Sequence, residues 1–358
     1  MNRVRSHARV FMFVVVVGVA FEGGPGVKAA SDDQPSAAEP VGVERLMLQA
    51  DKLEPLVETE VARRFLAAVA SLPRTKTRTL LRNKAERSWF TSDEAARLSE
   101  TERSALSDFE ADEGFYYFTA YGSPLVYVRV LELACAHGVH DLSGLKVMDF
   151  GYGSIGQLRL MASLGADVVG VDPGEALRAL YSEPADQGTV APARSVKQAA
   201  SGEKSGTVTL VHPRWPATEA ARNVVGGGYD LITSKNTLKN GYLHPAKPVD
   251  KRMLIDLGVS EREFVRALFD ALNPGGLVII YNLSPAPSKD DEPYKPWSDG
   301  RCPFPRKMWE DTGFDLIAFD TTDDDVARTI FRTLDYPVES SEGEPDLFSH
   351  YTIARRPR

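Results

Sequence analysis

A glycine-rich turn between an apolar strand and a helix constrains the fold more than any other feature. Residues 147–156 read VMDFGYGSIG, which places Gly151, Gly153 and Gly156 in the spacing G-x-G-x-x-G. The first glycine permits a tight turn, the second lets the backbone approach a ligand, and the third lets the helix pack closely on the strand. A second apolar strand ends at Asp172, where a carboxylate can accept hydrogen bonds from ribose hydroxyls. The sequence therefore predicts a nucleotide- or nucleoside-binding turn.

The rest of the chain from residue 145 onward predicts the α/β class. Short β-branched runs alternate with segments long enough to be helices, which is typical of a parallel sheet with helices on both faces. We predict a Rossmann-like, seven-stranded, mostly parallel sheet. Its strands are expected at residues 146–150, 167–171, 207–212, 229–234, 277–281, 315–319 and 348–354.

The amino terminus predicts an export signal. Basic residues precede an apolar run at residues 10–21, which is too short to span a bilayer as a helix of about 20 residues. Small side chains near Ala29 indicate cleavage after Ala29 or after Ala30. The protein is then periplasmic or extracellular, and the signal is its expected membrane contact. The alternative is a true start at Met47, which would leave the protein in the cytoplasm.

Four segments follow from these patterns. They are a signal peptide at residues 1–29, a linker at 30–42, a helical extension at 43–114 and the α/β domain at 115–358. The pairs Thr91–Glu94 and Ser99–Glu102 have the spacing of capping boxes, which favours helices in the extension. Residues 74–87 hold six basic residues and one acid, and we interpret them as a solvated helix face.

Charge and metal-ligand spacing exclude two classes of function. The formal net charge is −8, which argues against non-specific binding to nucleic acid, because such binding depends on Lys and Arg. His137 and His140 lie three residues apart, but only Cys135 among other possible ligands is near them in sequence. We therefore predict no metal site.

The residue two positions before the first glycine discriminates between two cofactor classes. Nicotinamide dinucleotides and S-adenosylmethionine both suit this geometry, and here the residue is Asp149. A carboxylate would repel a pyrophosphate but attract the ammonium group of a methionine moiety. The sequence thus favours S-adenosylmethionine and disfavours an NAD-dependent oxidoreductase.

The motifs VMDFGYGSIG, VVGVD, YDLITS and LNPGGLVIIY occur in an order that resembles the class I S-adenosylmethionine-dependent methyltransferases. The resemblance extends from about Phe115 to the carboxyl terminus and implies a seventh strand that runs antiparallel. It implies that Asp149, Gly151 and Gly153 line the methionine and ribose and that Asp172 binds the ribose hydroxyls. Gly156 would serve packing more than contact.

Four further residues are candidate cofactor contacts. Trp215 is placed to cover the adenine face, or else to pack under the adjacent proline-rich turn, and His212 is placed to bond the adenine edge. Tyr121 lies in a region that closes over the cofactor in such enzymes, although it also suits a core position. Ser234 ends the fourth predicted strand at the cofactor edge of the sheet.

The loop after the fourth strand is the expected acceptor site, because ligands occupy the crevice beyond the strand carboxyl ends. Lys235 or His244 would act as the base, with Asn236 and Tyr242 beside them. The alternative role for Lys235 is to pair with an anionic acceptor. The acceptor is a small molecule or a protein. An alternative is a non-catalytic module that binds S-adenosylmethionine or a nucleoside, since this cofactor is made in the cytosol.

Overall fold

The computed structural model describes residues 40–193, 205–288, 292–339 and 343–358. The predicted signal peptide and residues 30–39 of the predicted linker lie outside this part of the chain. Within it, no helix has both the length and the apolar character to cross a bilayer.

From residue 127 onward most helices are followed by a strand. The helices are α1 (Gly42–Leu53), α2 (Glu60–Ala67), α3 (Ser92–Ala95), α4 (Glu100–Ser104), α5 (Glu113–Phe118), α6 (Tyr127–Ala136), α7 (Gly156–Ser163), α8 (Glu175–Leu180), α9 (Glu219–Val225), α10 (Asn240–Leu243), α11 (Glu261–Ala271), α12 (Arg306–Thr312) and α13 (Asp324–Thr333). The strands are β1 (Arg78–Asn83), β2 (Ser88–Phe90), β3 (Ser107–Ala111), β4 (Lys146–Phe150), β5 (Asp167–Val171), β6 (Gly188–Val190), β7 (Gly206–Val211), β8 (Tyr229–Lys235), β9 (Leu272–Ser284), β10 (Asp315–Thr322) and β11 (Phe348–Arg355).

The central sheet has the strand order β10-β11-β9-β8-β4-β5-β7-β6. Strands β7, β5, β4, β8 and β9 are parallel neighbours, and β11 runs antiparallel to both β9 and β10. The predicted α/β class and mostly parallel sheet are confirmed. The antiparallel last strand is the one that the resemblance implies.

The count of seven strands is wrong, because the described sheet has an eighth. Strand β6 pairs antiparallel with β7 at the sheet edge. It has only three residues, and its side chains are exposed or half-buried. It therefore carries no apolar alternation, and the sequence pattern could not reveal it.

Two apolar cores lie on opposite faces of the sheet. Along β9, Leu277 and Ile279 face one core, whereas Val278 and Ile280 face the other, as the two-residue period of a strand requires. Helices α6, α7, α8 and α13 contribute to the first core, and α9, α11 and α12 contribute to the second. These layers fix the carboxyl ends of β4, β5 and β8 at one edge.

Residues 43–114, predicted to be a helical extension, contain a small sheet as well as helices. Both predicted capping boxes form, at α3 and α4, and α1 and α2 are helices. However, β1, β2 and β3 build a separate antiparallel sheet in the order β2-β1-β3. The guanidinium of Arg82 lies over Trp89 and Phe109, at 5.6 and 4.9 Å from the ring centroids. Cation–π and aromatic packing thus stabilise a basic strand that lacks regular apolar alternation.

Candidate functional site

A cavity of about 390 Å³ lies at the carboxyl ends of β4, β5 and β8. This is the edge at which open parallel sheets bind ligands. Its lining residues are Tyr121, Tyr127, Phe150, Gly151, Tyr152, Gly153, Val171, Asp172, Pro173, Gly174, Arg214, Trp215, Lys235, Asn236, Thr237, Lys251, Leu254, Ile255, Asp256 and Leu257. The cavity therefore brings together seven of the predicted site residues: Gly151, Gly153, Asp172, Tyr121, Trp215, Lys235 and Asn236.

The first two glycines of the turn form the floor of the cavity. Gly151 and Gly153 have φ values of +74° and +61°, in the left-handed region that favours glycine. A Cβ atom at Gly151 would lie 2.0 Å from Oγ1 of Thr237, and one at Gly153 would lie 2.9 Å from the ring of Tyr121. Only glycine therefore lets these neighbours close around the turn.

The third glycine starts α7 and does not line the cavity. A Cβ atom at Gly156 would lie 2.8 Å from Cγ of Pro124. Its position thus allows the start of α7 to pack against the segment that leads into α6.

Asp149 lies beneath the turn and is fully buried. Its two carboxylate oxygens accept hydrogen bonds from the hydroxyl of Tyr127 at 2.9 and 2.8 Å. Oγ1 of Thr233 donates at 2.8 Å, and Nε2 of Gln157 donates at 3.1 Å. Burial raises the pKa of Asp149, whereas these donors and the charge of Lys235 oppose the rise.

Asp149 does not line the cavity, and its contact with a cofactor ammonium group stays a prediction. The carboxylate is directed into the protein, because a buried charge must be hydrogen-bonded, and the donors available belong to α6, α7 and β8. Asp149 therefore holds these three elements together under the glycine turn.

Asp172 follows β5 and lines the cavity from the opposite side of the turn. Its Oδ1 accepts a hydrogen bond from the backbone N–H of Gly174 at 2.8 Å. Burial raises the pKa of Asp172 to about 6, while hydrogen bonds from the N–H groups of Gly174 and Gly153 oppose this rise. The carboxylate is thus fixed at the cavity wall, where it can accept hydrogen bonds from a diol.

An aromatic wall lies beside Asp172. Trp215 is buried, and its ring lies 6.3 Å from that of Phe150 and 5.8 Å from that of Phe264. Trp215 thus both packs on its neighbours and lines the cavity, so packing under the turn is compatible with a place beside the adenine.

His212 does not line the cavity, and its Nδ1 lies 3.3 Å from the carbonyl oxygen of Asp172. Burial lowers the pKa of His212.

Lys235 ends β8 and lines the cavity on the far side of β4 from Asp172. Its Nζ lies 5.6 Å from the ring centroid of Tyr127, and it makes no hydrogen bond or ion pair with any residue of the described ranges. Burial lowers the pKa of Lys235 to about 8, and the negative charge of Asp149 opposes that shift. At neutral pH the side chain is therefore mainly a cation.

The loop after β8 is fixed by Asn236. Its φ is +63°, and its Oδ1 accepts a hydrogen bond from the backbone N–H of Leu283 at 2.6 Å. Its own N–H donates to the carbonyl oxygen of Tyr281 at 3.1 Å. Asn236 thus ties this loop to the end of β9, and it also contributes to the cavity wall.

The remaining predicted residues of this region do not line the cavity. The Nε2 atom of His244 lies 3.1 Å from both the Pro303 carbonyl oxygen and Oε1 of Glu261. Tyr242 is buried near Lys239, whose Nζ lies 5.8 Å from its ring. The predicted base His244 therefore contacts residues outside the cavity wall. Ser234 is buried, and no described residue hydrogen-bonds its hydroxyl.

Sequence reasoning missed the roof of the cavity. Residues 251–257 lie between α10 and α11, and five of them line the cavity: Lys251, Leu254, Ile255, Asp256 and Leu257. Arg214 forms an ion pair with Asp256, which joins the roof to the loop after β7. The only signal was a cluster of aliphatic residues in a segment without helical or strand periodicity.

Comparison with protein-family models found no match, and comparison with curated proteins found none either. Among solved structures, the chain is similar to an S-adenosylmethionine-dependent methyltransferase from Mesorhizobium loti (16% identity, 60% of this chain and 93% of that chain, TM-score 0.33). It is also similar to magnesium protoporphyrin IX methyltransferase from Synechocystis PCC 6803 (19% identity, 65% and 79%, TM-score 0.32) and to TehB from Haemophilus influenzae (16% identity, 71% and 70%, TM-score 0.33). Because all these identities are below 20% and all these TM-scores are below 0.5, the function of this chain has to be argued from its own strand order and cavity.

Proposed function

We propose that this chain binds S-adenosylmethionine in the cavity at the ends of β4, β5 and β8 and transfers its methyl group to an acceptor near Lys235. The observation that carries the proposal is the strand order around the glycine turn. The doubly wound dinucleotide fold has the order 3-2-1-4-5-6. Here β9 and β10 correspond to strands 5 and 6 of that order. They are not neighbours, because the antiparallel strand β11 lies between them.

The lining residues fit a nucleoside with a charged amino-acid tail. Asp172 would accept hydrogen bonds from the two ribose hydroxyls, and Trp215 would lie along the adenine. The backbone of Gly151 and Gly153 would approach the ligand closely, since a side chain at either position has no room. When bound, the cofactor supplies an electrophilic methyl group on a sulfonium sulfur.

The chain's own task in this reaction is alignment. Methyl transfer is an in-line displacement, so the protein must hold the nucleophile behind the methyl carbon and exclude water. Lys235, Asn236 and Thr237 form the wall on the acceptor side, and the aliphatic residues of the roof cover it. No part of this task requires His244.

Binding is expected to depend on pH through Asp172. Its pKa is about 6, and the ionised carboxylate is the better acceptor for ribose hydroxyls. Affinity for S-adenosylhomocysteine should therefore be constant above about pH 7 and should fall below pH 6, by up to about tenfold per pH unit. Calorimetric titration between pH 5 and pH 8 measures this dependence.

The control for this prediction is Asp172→Asn, which preserves shape and removes the titrating group. It should bind more weakly at pH 8 and lose the pH dependence assigned to Asp172. A wild-type affinity that stays unchanged down to pH 5, or a decline that persists in Asp172→Asn, would contradict the role given to this carboxylate.

Turnover separates an enzyme from a non-catalytic binding module. The full chain is incubated with methyl-labelled S-adenosylmethionine and, separately, with the small-molecule and protein fractions of a cell extract. We expect label to appear in one fraction, in proportion to the amount of chain added. Saturable binding of the cofactor without transfer to either fraction would instead favour the binding module.

A further inference from the structure

The charges that line the cavity are not balanced. Arg214 is paired with Asp256, and Asp172 is bound by the N–H groups of Gly153 and Gly174. Two residues of the cavity wall, Lys235 and Lys251, have ammonium groups that make no hydrogen bond or ion pair with the described residues. A chain with a net charge of −8 does not attract anions in general, so this positive character is local.

Lys235 is the better placed of the two cations to bind an anion. It is largely removed from water at the end of β8, where its ammonium group meets the ring face of Tyr127 instead of a carboxylate. Among the described residues, the acid whose charge raises the pKa of Lys235 is Asp149, and its oxygens are already bonded by Tyr127, Gln157 and Thr233. An ammonium group in such surroundings favours a ligand that supplies both negative charge and hydrogen-bond acceptors.

The described cavity wall also offers no free carboxylate, imidazole or thiol as a general base. It contains no imidazole and no thiol, and its two carboxylates are engaged, Asp172 with the ribose assigned above and Asp256 with Arg214. Burial raises the pKa values of Tyr127 and Tyr152, so their phenols stay protonated at neutral pH. Lys235 itself is mainly protonated there, since its pKa is about 8. A nucleophile that arrives already deprotonated needs no base.

We propose that the methyl acceptor is an organic carboxylate, which Lys235 holds by its negative charge and which is methylated on a carboxylate oxygen. This inference rests on the proposed function. The acceptor oxygen forms a bond to the methyl carbon while the bond from that carbon to sulfur breaks, and the bonding electron pair stays on sulfur. An anion and a sulfonium cation thus give a neutral methyl ester and a neutral thioether, and no proton is transferred.

The main rival is that Lys235 holds the carboxylate of the cofactor itself. The strand order opposes this, because Lys235 ends β8 whereas the nucleoside contacts assigned above follow β5 and β7, on the other side of β4. The two roles also predict different effects of one variant. Lys235→Met would weaken acceptor binding in the first case and cofactor binding in the second.

The test uses the full chain saturated with S-adenosylhomocysteine. Benzoate and hexanoate are titrated beside their neutral counterparts, benzamide and hexanamide. We expect at least one acid to bind tenfold or more tightly than its amide, and Lys235→Met to abolish that preference. Lys307→Met is the matched control, since it removes one positive charge from an exposed site on α12 that does not line the cavity.

Several outcomes would overturn the inference while the proposed function stands. They are equal binding of acid and amide, no binding of either acid, a preference that survives in Lys235→Met, or a matching loss of S-adenosylhomocysteine affinity in that variant. If S-adenosylhomocysteine itself does not bind wild type, the proposed function has failed instead.

A second measurement examines the product. Label transferred from methyl-labelled cofactor to the small-molecule fraction of an extract is treated with dilute alkali, which hydrolyses methyl esters. We expect the label to be released as volatile methanol. Label that resists alkali would show transfer to nitrogen, carbon or an ether oxygen and would overturn the inference.

Discussion

Replacing Asp149 with alanine is expected to lower the free energy of unfolding by about 3 kcal/mol, even with no ligand present. The substitution leaves the donors of Tyr127, Thr233 and Gln157 without their acceptor. A buried donor without an acceptor costs about 1–3 kcal/mol, and removal of the buried negative charge offsets part of the sum. Urea unfolding of wild type and variant measures the difference.

The control for this prediction is Asp172→Ala, because that carboxylate lies at the cavity wall and, within the described ranges, accepts hydrogen bonds from the backbone N–H groups of Gly153 and Gly174 alone. It should bind S-adenosylhomocysteine much more weakly while losing less stability than Asp149→Ala. If Asp149→Ala unfolds at the wild-type urea concentration and loses only ligand affinity, the carboxylate is a ligand contact and its structural role is wrong.

Asp186→Asn is expected to destabilise the protein by about 3–5 kcal/mol, which is the usual cost of removing one partner of a buried ion pair. Asp186 is buried and accepts two hydrogen bonds from Arg78, at 2.8 and 2.9 Å, and one from the hydroxyl of Tyr116 at 2.7 Å. Arg159 lies 4.0 Å away. An asparagine would direct an amide N–H₂ group at one of these donors, and Arg78 would keep only the more exposed carboxylate of Glu183, 3.1 Å from its Nη2, as an ion-pair partner.

This second prediction also concerns how the amino-terminal sheet is attached, because Arg78 belongs to β1 and Asp186 lies just before β6. The same substitution at an exposed pair is the control. Asp270→Asn breaks an exposed pair with Arg266 on α11 and should cost less than about 1 kcal/mol. Equal urea midpoints for Asp186→Asn and Asp270→Asn would show that the buried cluster does not stabilise the fold as described.

The strands of the central sheet were predictable because burial on both faces requires short, continuous runs of apolar residues. Runs such as residues 168–171 are apolar throughout, and the structure confirms β4 and β5 with the predicted bounds. The capping boxes of α3 and α4 were predictable because their hydrogen bonds join residues only three apart. Interactions that are local, or that require continuous burial, can therefore be predicted from the sequence.

The amino-terminal sheet was not predictable, since its stabilisation comes from pairs distant in sequence. Arg82 reads as a solvated charge, yet its guanidinium packs on Trp89 and on Phe109 of the same small sheet. No local period marks such a contact. Similarly, nothing around Asp186 indicates that Arg78, more than a hundred residues earlier, supplies its partner.

The residues of the candidate site also differ in whether local sequence or distant contacts determine their positions. The glycine turn and Asp172 were found because backbone geometry demands these residue types at a fixed spacing. Asp149 was assigned by charge alone, and the sequence could not reveal the donors from α6, α7 and β8 that surround it. The sequence also does not show the path of the chain after Thr237. His244 was therefore predicted at a cavity that it does not line, and the roof at residues 251–257 was missed.

The central claim is that the cavity beside the glycine turn binds S-adenosylmethionine, and calorimetric titration of the full chain with S-adenosylhomocysteine tests it most directly. We predict saturable binding at one site per chain, weakened on the order of a hundredfold in Asp172→Ala through the loss of about 3 kcal/mol of ribose hydrogen bonding. NAD should produce no comparable heat. No binding of S-adenosylhomocysteine, or an affinity that Asp172→Ala leaves unchanged, would contradict the claim.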